Sequence, residues 1–140
     1  MTKAQEFLLE KLYNAYRLER RALRILQVAQ EIARLCPRVR TRVRDHVTET
    51  RWQTRLLEVC IENMGGDPSE IPSGAYLPFA RSSAAFKRQE IEAYHALILA
   101  AEAANEPEVV QVGREILAQE LAMSTWLESY RQPGASSLPA

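Results

Sequence analysis

Four glutamates stand at matched places along this chain, where the surrounding pattern of apolar residues calls for buried side chains. They are Glu19, Glu49, Glu90 and Glu120, and the members of each successive pair are 30 residues apart. A leucine follows each of them seven residues later. An ionised carboxylate in an apolar core is very costly unless it is paired, protonated or bound to a cation. The four glutamates therefore predict a metal site, and their equal spacing predicts two helical hairpins built on one plan.

The segments that carry these glutamates have the apolar spacing of helices with one buried face. Pro37 and Pro107 suit the first turn of a helix, because proline lacks the N–H that a first turn leaves unbonded. The Gly65-Gly66-Asp67-Pro68 sequence ends the second helix in a turn. We predict helices over about residues 3–35, 37–63, 83–105 and 107–131.

The connection over about residues 64–82 is too long for a tight hairpin. Fully extended, it reaches roughly 60 Å, which exceeds the roughly 40 Å length of a helix of this size. It therefore crosses the whole bundle, as in ferritin-like four-helix bundles, which have one long crossover. We predict an all-α protein with one ferritin-like domain over residues 1–132 and a disordered tail over 133–140.

The bulk composition excludes several classes of protein. The 140 residues carry 18 basic and 18 acidic side chains, so the chain has no net field to gather nucleic acid or an anionic membrane. The alternating arginines from Arg38 to Arg44 lack interleaved aromatics, which favours a solvated, ion-paired helix end. Two cysteines with no metal-binding motif and no secretory signal indicate a reduced, cytoplasmic protein. No apolar run approaches the roughly 20 residues of a membrane span, so no membrane partner is expected.

Unusual polar residues occupy the layers next to the glutamates. On the second helix the inward face reads His46, Glu49 and Gln53, where an ordinary bundle carries leucines. Carboxylates and imidazole are ligands that iron and similar divalent metals accept. The predicted metal ligands are Glu19, His46, Glu49, Glu90 and Glu120. The neighbours predicted to support or modify the site are Lys87, Gln53, Tyr16 and Tyr94.

The di-iron pattern of such bundles is only partly met. That pattern takes one glutamate from each of two helices and Glu-x-x-His from each of the other two. Here the histidine precedes its glutamate, as His46-x-x-Glu49, and Met123 stands where a second histidine would be expected. The hydroxyls of Tyr16 and Tyr94 need partners, and a glutamate one turn away is the natural one.

The chain resembles the YciE/YciF group of bacterial ferritin-like proteins, most closely the YciE branch. The residues that carry the resemblance are LYNAYRLERRAL around Glu19, DHVTET around Glu49, QEIEAY around Glu90 and EILAQELAMSTWLE around Glu120. The resemblance implies a ferritin-like bundle, a homodimer, a link to bacterial stress response and a di-iron site. Lys87 departs from the family pattern, because it stands where the family's third helix carries the first glutamate of Glu-x-x-Glu.

Two functions from different classes follow from these residues. In the first, the carboxylates bind iron or another divalent metal and the protein acts as a ferroxidase that uses oxygen or peroxide, with Glu19 and Glu90 as terminal ligands and Glu49 and Glu120 as bridges. In the second, the ammonium of Lys87 has replaced the metal, and the bundle is a scaffold or protein-interaction module. The residue that separates the two is Lys87, because an opposite charge nearby stabilises ionised carboxylates.

Overall fold

The computed structural model describes residues 1–72 and 78–131, and over these residues the chain forms a four-helix bundle without strands. The all-α bundle predicted from the sequence is confirmed. The tail predicted over residues 133–140 and the middle of the predicted crossover, 73–77, lie outside the described residues. The helices are α1 Lys3–Ile32, α2 Pro37–Asn63, α3 Ser83–Ala103 and α4 Pro107–Arg131.

Local chemistry explains where the helices begin. Thr2 and Gln5 cap α1 reciprocally: the Thr2 hydroxyl accepts from the Gln5 backbone N–H at 3.1 Å, and the Gln5 side chain accepts from the Thr2 N–H at 2.9 Å. Helix α1 ends three residues before the predicted boundary, and a 3₁₀ turn over Ala33–Leu35 leads into α2. Pro37 opens α2, because an α-helical conformation of the residue before a proline is sterically disfavoured.

The described parts of the long connection lie against the middle of α1, from the level of Tyr13 to that of Arg17 and Arg21. Near its start, the Asp67 N–H donates to the Tyr13 hydroxyl at 2.9 Å. Near its end, the Phe79 ring lies under the guanidinium of Arg17, 4.5 Å from the ring centroid. Ser82 then caps α3 by accepting from the Ala85 N–H at 3.1 Å. Helices α2 and α3 therefore run in the same direction, antiparallel to α1 and α4.

A polar layer divides the core into two apolar regions. The larger region lies toward the start of α1 and includes Leu12, Leu57, Leu97 and Ile116. Beyond the polar layer, smaller clusters form around Phe86 and around Leu26 and Val43, among others. The glutamates lie between these regions, with apolar side chains on both sides. None of the helices, as far as the chain is described, is long and apolar enough to cross a bilayer.

Candidate metal centre

Three of the four glutamates meet in the polar layer. Glu19 of α1, Glu90 of α3 and Glu120 of α4 have relative exposures of 0%, 1% and 0%, and one carboxylate oxygen from each lies within 4.8 Å of the others. Burial raises the pKa of Glu19 well above its usual range, and the charges of Glu120 and Glu90 raise it further. Burial, reinforced by the charge of Glu120, raises the pKa of Glu90 to about 7. Protons and cations are thus alternative ways to neutralise the trio.

The ammonium of Lys87 lies against this trio. Its Nζ is 2.5 Å from Glu120 Oε2, 3.1 Å from Glu90 Oε1 and 3.3 Å from His46 Nε2. Burial works to lower the pKa of Lys87, but the charges of Glu90 and Glu120 outweigh it, so the pKa is raised and the side chain stays charged. Three ionised carboxylates and one ammonium leave two negative charges in the layer. One divalent cation or two protons would neutralise these two negative charges.

His46 joins the trio to a fourth glutamate. Its Nε2 accepts from Lys87 and lies 3.8 Å from Glu120 Oε2, so the ring hydrogen is on Nδ1, which donates to Glu49 Oε1 at 2.8 Å. Burial lowers the pKa of His46, which favours this neutral form. The predicted ligand His46 is therefore adjacent to the carboxylate trio, but its Nε2 atom already accepts a hydrogen bond from Lys87.

Glu49 does not belong to the buried trio, contrary to the expectation of four inward carboxylates. Its side chain is 29% exposed and lies 3.5 Å from the guanidinium of Arg42. The buried position next to it on α2 is Thr50, whose hydroxyl donates to the carbonyl of His46 at 2.8 Å. The inward face of α2 thus runs through His46, Thr50 and Gln53, and Glu49 lies at its edge.

Gln53 takes the place in the layer that Glu49 was expected to fill. With its amide nitrogen facing the carboxylates, it donates to Glu19 Oε2 at 2.8 Å and to Glu120 Oε1 at 3.0 Å, and its oxygen lies 2.7 Å from the side-chain amide of Gln119. A hydrogen bond to an acceptor carboxylate holds that group in position. The sequence pointed to Gln53 as a support but did not reveal its amide contact with Gln119.

The two tyrosines have different surroundings. The Tyr94 hydroxyl donates to Glu19 Oε1 at 2.7 Å, across the helix pair rather than to Glu90 one turn away. Tyr16 is also buried, yet it lies outside the carboxylate trio: its ring is 5.8 Å from the guanidinium of Arg20. Burial, and then the charge of Glu58, raise the pKa of Tyr16. The glutamate partner expected for Tyr16 is therefore wrong.

An apolar cavity of about 140 Å³ adjoins the polar layer on the side of Lys87. Its wall toward the layer consists of His46, Lys87 and Glu90. A cavity of this size holds a small apolar molecule such as benzene or xenon. The layer is thus open to a small neutral molecule from this side. The remaining lining residues are Ala22, Ile25, Leu26, Ala29, Val43, Ser83, Phe86, Met123 and Leu127.

The residues present fit one divalent ion better than two. Glu90 Oε2 is buried and has no hydrogen-bond partner among the described residues, so it is an acceptor without a donor. Together with the carboxylates of Glu19 and Glu120 it supplies oxygen ligands from three helices. A second ion would need the imidazole and carboxylate atoms that Lys87 already contacts.

Comparisons with known proteins agree with this architecture. The family described as "Domain of unknown function (DUF892)" matches residues 3–80 and 77–137. A crystal structure of a protein from Xanthomonas campestris pv. campestris is 29% identical, with a TM-score of 0.77 over 92% of this chain and 90% of that one. A structure described as ferritin-like, diiron-carboxylate proteins from Bacillus anthracis is 17% identical, with a TM-score of 0.79 over 94% and 100% of the two chains. The fold is therefore ferritin-like. No curated protein matches the sequence.

Proposed function

The chain belongs to the DUF892 family, and on that premise we propose that its buried carboxylate trio binds a single divalent metal ion, with iron the leading candidate. The observation that carries this proposal is the uncompensated charge. Glu19, Glu90 and Glu120 are almost completely buried, and Lys87 offsets only one of their three charges. A divalent ion supplies the missing charge and gives a partner to Glu90 Oε2, which accepts no hydrogen bond from the described residues.

The chemistry of the ligands supports iron or a similar cation. Carboxylate oxygens suit hard and borderline divalent ions. When bound, ferrous iron supplies one electron to dioxygen or peroxide. The three carboxylates would stabilise the added positive charge, and Gln53 and Tyr94 would hold two of them in position. The apolar cavity beside Lys87 suits the entry of a small neutral oxidant.

Lys87 limits what this centre can do. Its ammonium contacts one imidazole nitrogen and two carboxylate oxygens, the atom types that would ligate a second ion. Two-iron ferroxidase chemistry therefore requires this side chain to leave or to be replaced. The proposal is a ferritin-like centre reduced from two ions to one.

The same contacts favour a second candidate, a metal-free bundle. In that case Lys87 and protons shared among the carboxylates neutralise the layer, and the protein serves as a scaffold or interaction module. The YciE-branch assignment, the stress-response link and a homodimeric state also belong to the proposal, on the strength of the motif resemblance. They apply to either candidate.

Metal stoichiometry separates the candidates. Protein freed of metal is titrated anaerobically with ferrous iron, and bound iron is measured for wild type, Glu120→Gln and the matched control Glu49→Gln. We expect about one equivalent for wild type and for Glu49→Gln, because Glu49 lies outside the trio, and loss of binding for Glu120→Gln. Binding of less than about a tenth of an equivalent of iron in wild type would establish the second candidate, the metal-free bundle.

A second variant tests the role of the lysine. Lys87→Glu restores a carboxylate at the position of the ammonium, and we expect it to raise bound iron toward two equivalents. If Lys87→Glu still binds about one equivalent while Glu120→Gln binds none, a single-ion centre stands but Lys87 is not what excludes the second ion.

A further inference from the structure

The neutral net charge of the chain conceals a strong separation of charge along the bundle. The level of the buried carboxylates divides the molecule into a basic end, residues 20–48, 78–89 and 121–129, and an acidic end, residues 1–18, 50–72 and 91–119. Apart from the buried Lys87, the basic end has ten arginines against three acidic residues. The acidic end has six basic and eleven acidic residues. One end of the bundle is therefore a concentrated positive surface.

The positive charge is densest where α1 passes into α2. Five arginines and no acidic residue occur between positions 34 and 44. Three of them lie within 4.0 Å of an acidic side chain: Arg34 near Glu31, Arg42 near Glu49 and Arg44 near Asp45. Arg38 and Arg40 are exposed and form no ion pair with any residue the structure describes. The ion-paired helix end expected from the sequence is thus only partly paired.

Exposed aliphatic side chains lie at the same end. Val28, Ile32 and Leu35 are 63%, 77% and 85% exposed, and their spacing of four and three residues places them on one side of α1 and the turn that follows. They are uncovered because α1 continues 13 residues past Glu19, whereas α3 begins only seven residues before Glu90. Large aliphatic side chains left in water beside arginines mark an interaction surface.

We propose that the basic end docks this protein on an anionic membrane surface. The arginines around Arg38 and Arg40 would contact lipid phosphates, and Ile32 and Leu35 would enter the interface between headgroups and acyl chains. Peripheral attachment of this kind needs two signals, a basic cluster and inserted apolar side chains, and both are present here. The expectation of no membrane partner rested on the lack of an apolar span and on the zero net charge, and the net charge averages the two ends of the molecule.

Nucleic acid fits the same end less well. Single strands are held by aromatic side chains that stack on bases, whereas the large exposed hydrophobic side chains here are aliphatic. Stacking of the basic end on the acidic end of a second copy would also satisfy the charges, and the test below distinguishes it from membrane docking. An anionic bilayer accommodates both the charge and the aliphatic groups.

Vesicle sedimentation tests the proposal. Full-length protein is mixed with vesicles of phosphatidylcholine alone or with about one quarter phosphatidylglycerol, at about 0.05 M and about 0.5 M salt. We expect binding only to the anionic vesicles, weakened at high salt. Because each basic residue near such a surface contributes a factor of about five in affinity, Arg38→Glu/Arg40→Glu should reduce binding more than tenfold.

Two further variants separate the contributions. Ile32→Ser/Leu35→Ser should weaken binding at both salt concentrations, because the insertion of apolar groups is not screened by ions. Arg55→Glu/Arg114→Glu makes the same charge change at the acidic end and should bind like wild type. Circular dichroism melting shows that each variant is folded.

Several results would overturn membrane docking. They are equal binding to neutral and anionic vesicles, an equal loss in the Arg55→Glu/Arg114→Glu control, or no vesicle binding in a protein that binds duplex DNA or self-associates through the basic end. The metal proposal is tested separately, because Glu120→Gln should lose iron and still bind vesicles like wild type. Failure of one proposal therefore leaves the other intact.

Discussion

Replacing Lys87 with methionine removes the cation from the carboxylate layer while keeping a side chain of similar length. Lys87 is in contact with both Glu90 and Glu120, which are almost completely buried. Removing one partner of a buried ion pair typically costs about 3–5 kcal/mol, because the other charge stays buried without compensation. We expect a loss of this size in the free energy of unfolding at pH 8 in the metal-free protein.

The loss should depend on pH in a defined way. In wild type the pKa of Glu90 is about 7, and removal of the neighbouring ammonium must raise it further. Above pH 7 the folded variant therefore holds a proton that wild type has released, and its stability falls relative to wild type by up to about 1.4 kcal/mol per pH unit. Below about pH 6 Glu90 is protonated in both proteins, so the difference should level off.

Urea unfolding in the presence of a chelator, followed by circular dichroism at several pH values, measures this difference. Lys11→Met is the matched control, because Lys11 lies over the ring of Phe7, far from the carboxylates, and should show a small loss independent of pH. A loss for Lys87→Met below about 1 kcal/mol, or one equal at pH 6 and pH 8, would refute the proposed coupling between the lysine and the carboxylates.

Three further outcomes follow from the same geometry. The rise of the Glu90 pKa from 4.5 to about 7 contributes about 3 kcal/mol of stability that is fully present below pH 4.5 and lost as the pH rises through 7. In the presence of chelator, this fall of the unfolding free energy with pH should disappear in Glu90→Gln. An unchanged pH dependence in that variant would contradict the assignment to Glu90. Tyr94→Phe removes the hydroxyl that donates to Oε1 of buried Glu19 and should cost about 1–3 kcal/mol in urea unfolding. No measurable loss would show that the hydrogen bond does not contribute to stability. Gly66→Ala should lower the melting temperature by the equivalent of about 1–3 kcal/mol, because a Cβ there would lie 2.6 Å from the Tyr13 hydroxyl; an unchanged melting temperature would mean that the ring moves freely.

The periodic positions of apolar residues were enough to predict the helices, because a helix buries one face whatever its partners are. Pro37 and Pro107 begin helices as expected. The same periodicity does not determine how a helix is rotated about its axis, and the burial of Glu49 was predicted wrongly for that reason. Glu49 and Thr50 lie on either side of the seam of α2, and a repeat of 3.6 residues leaves either one able to face inward. Packing against the other helices decides the rotation, and it selects Thr50.

The interactions of the tyrosines show the same limit. Sequence spacing placed a glutamate one turn from Tyr94, but the hydroxyl bonds to Glu19 on another helix. Tyr16 is close in sequence to Glu19 yet packs near Arg20 at the outside of the layer. Hydrogen-bond partners depend on directions of side chains between helices, which a one-dimensional pattern does not contain.

The helical elements and the polar residues available at one level of the bundle follow from the sequence alone, because periodicity, prolines and glycines act locally. Which carboxylates meet depends on helix rotation, and packing between the helices sets that rotation. The tertiary structure also decided the position of Lys87 between Glu90 and Glu120, and the separation of arginines from acidic residues at opposite ends. Charges that cancel in a sum along the chain do not cancel in space, because electrostatic interactions depend on distance.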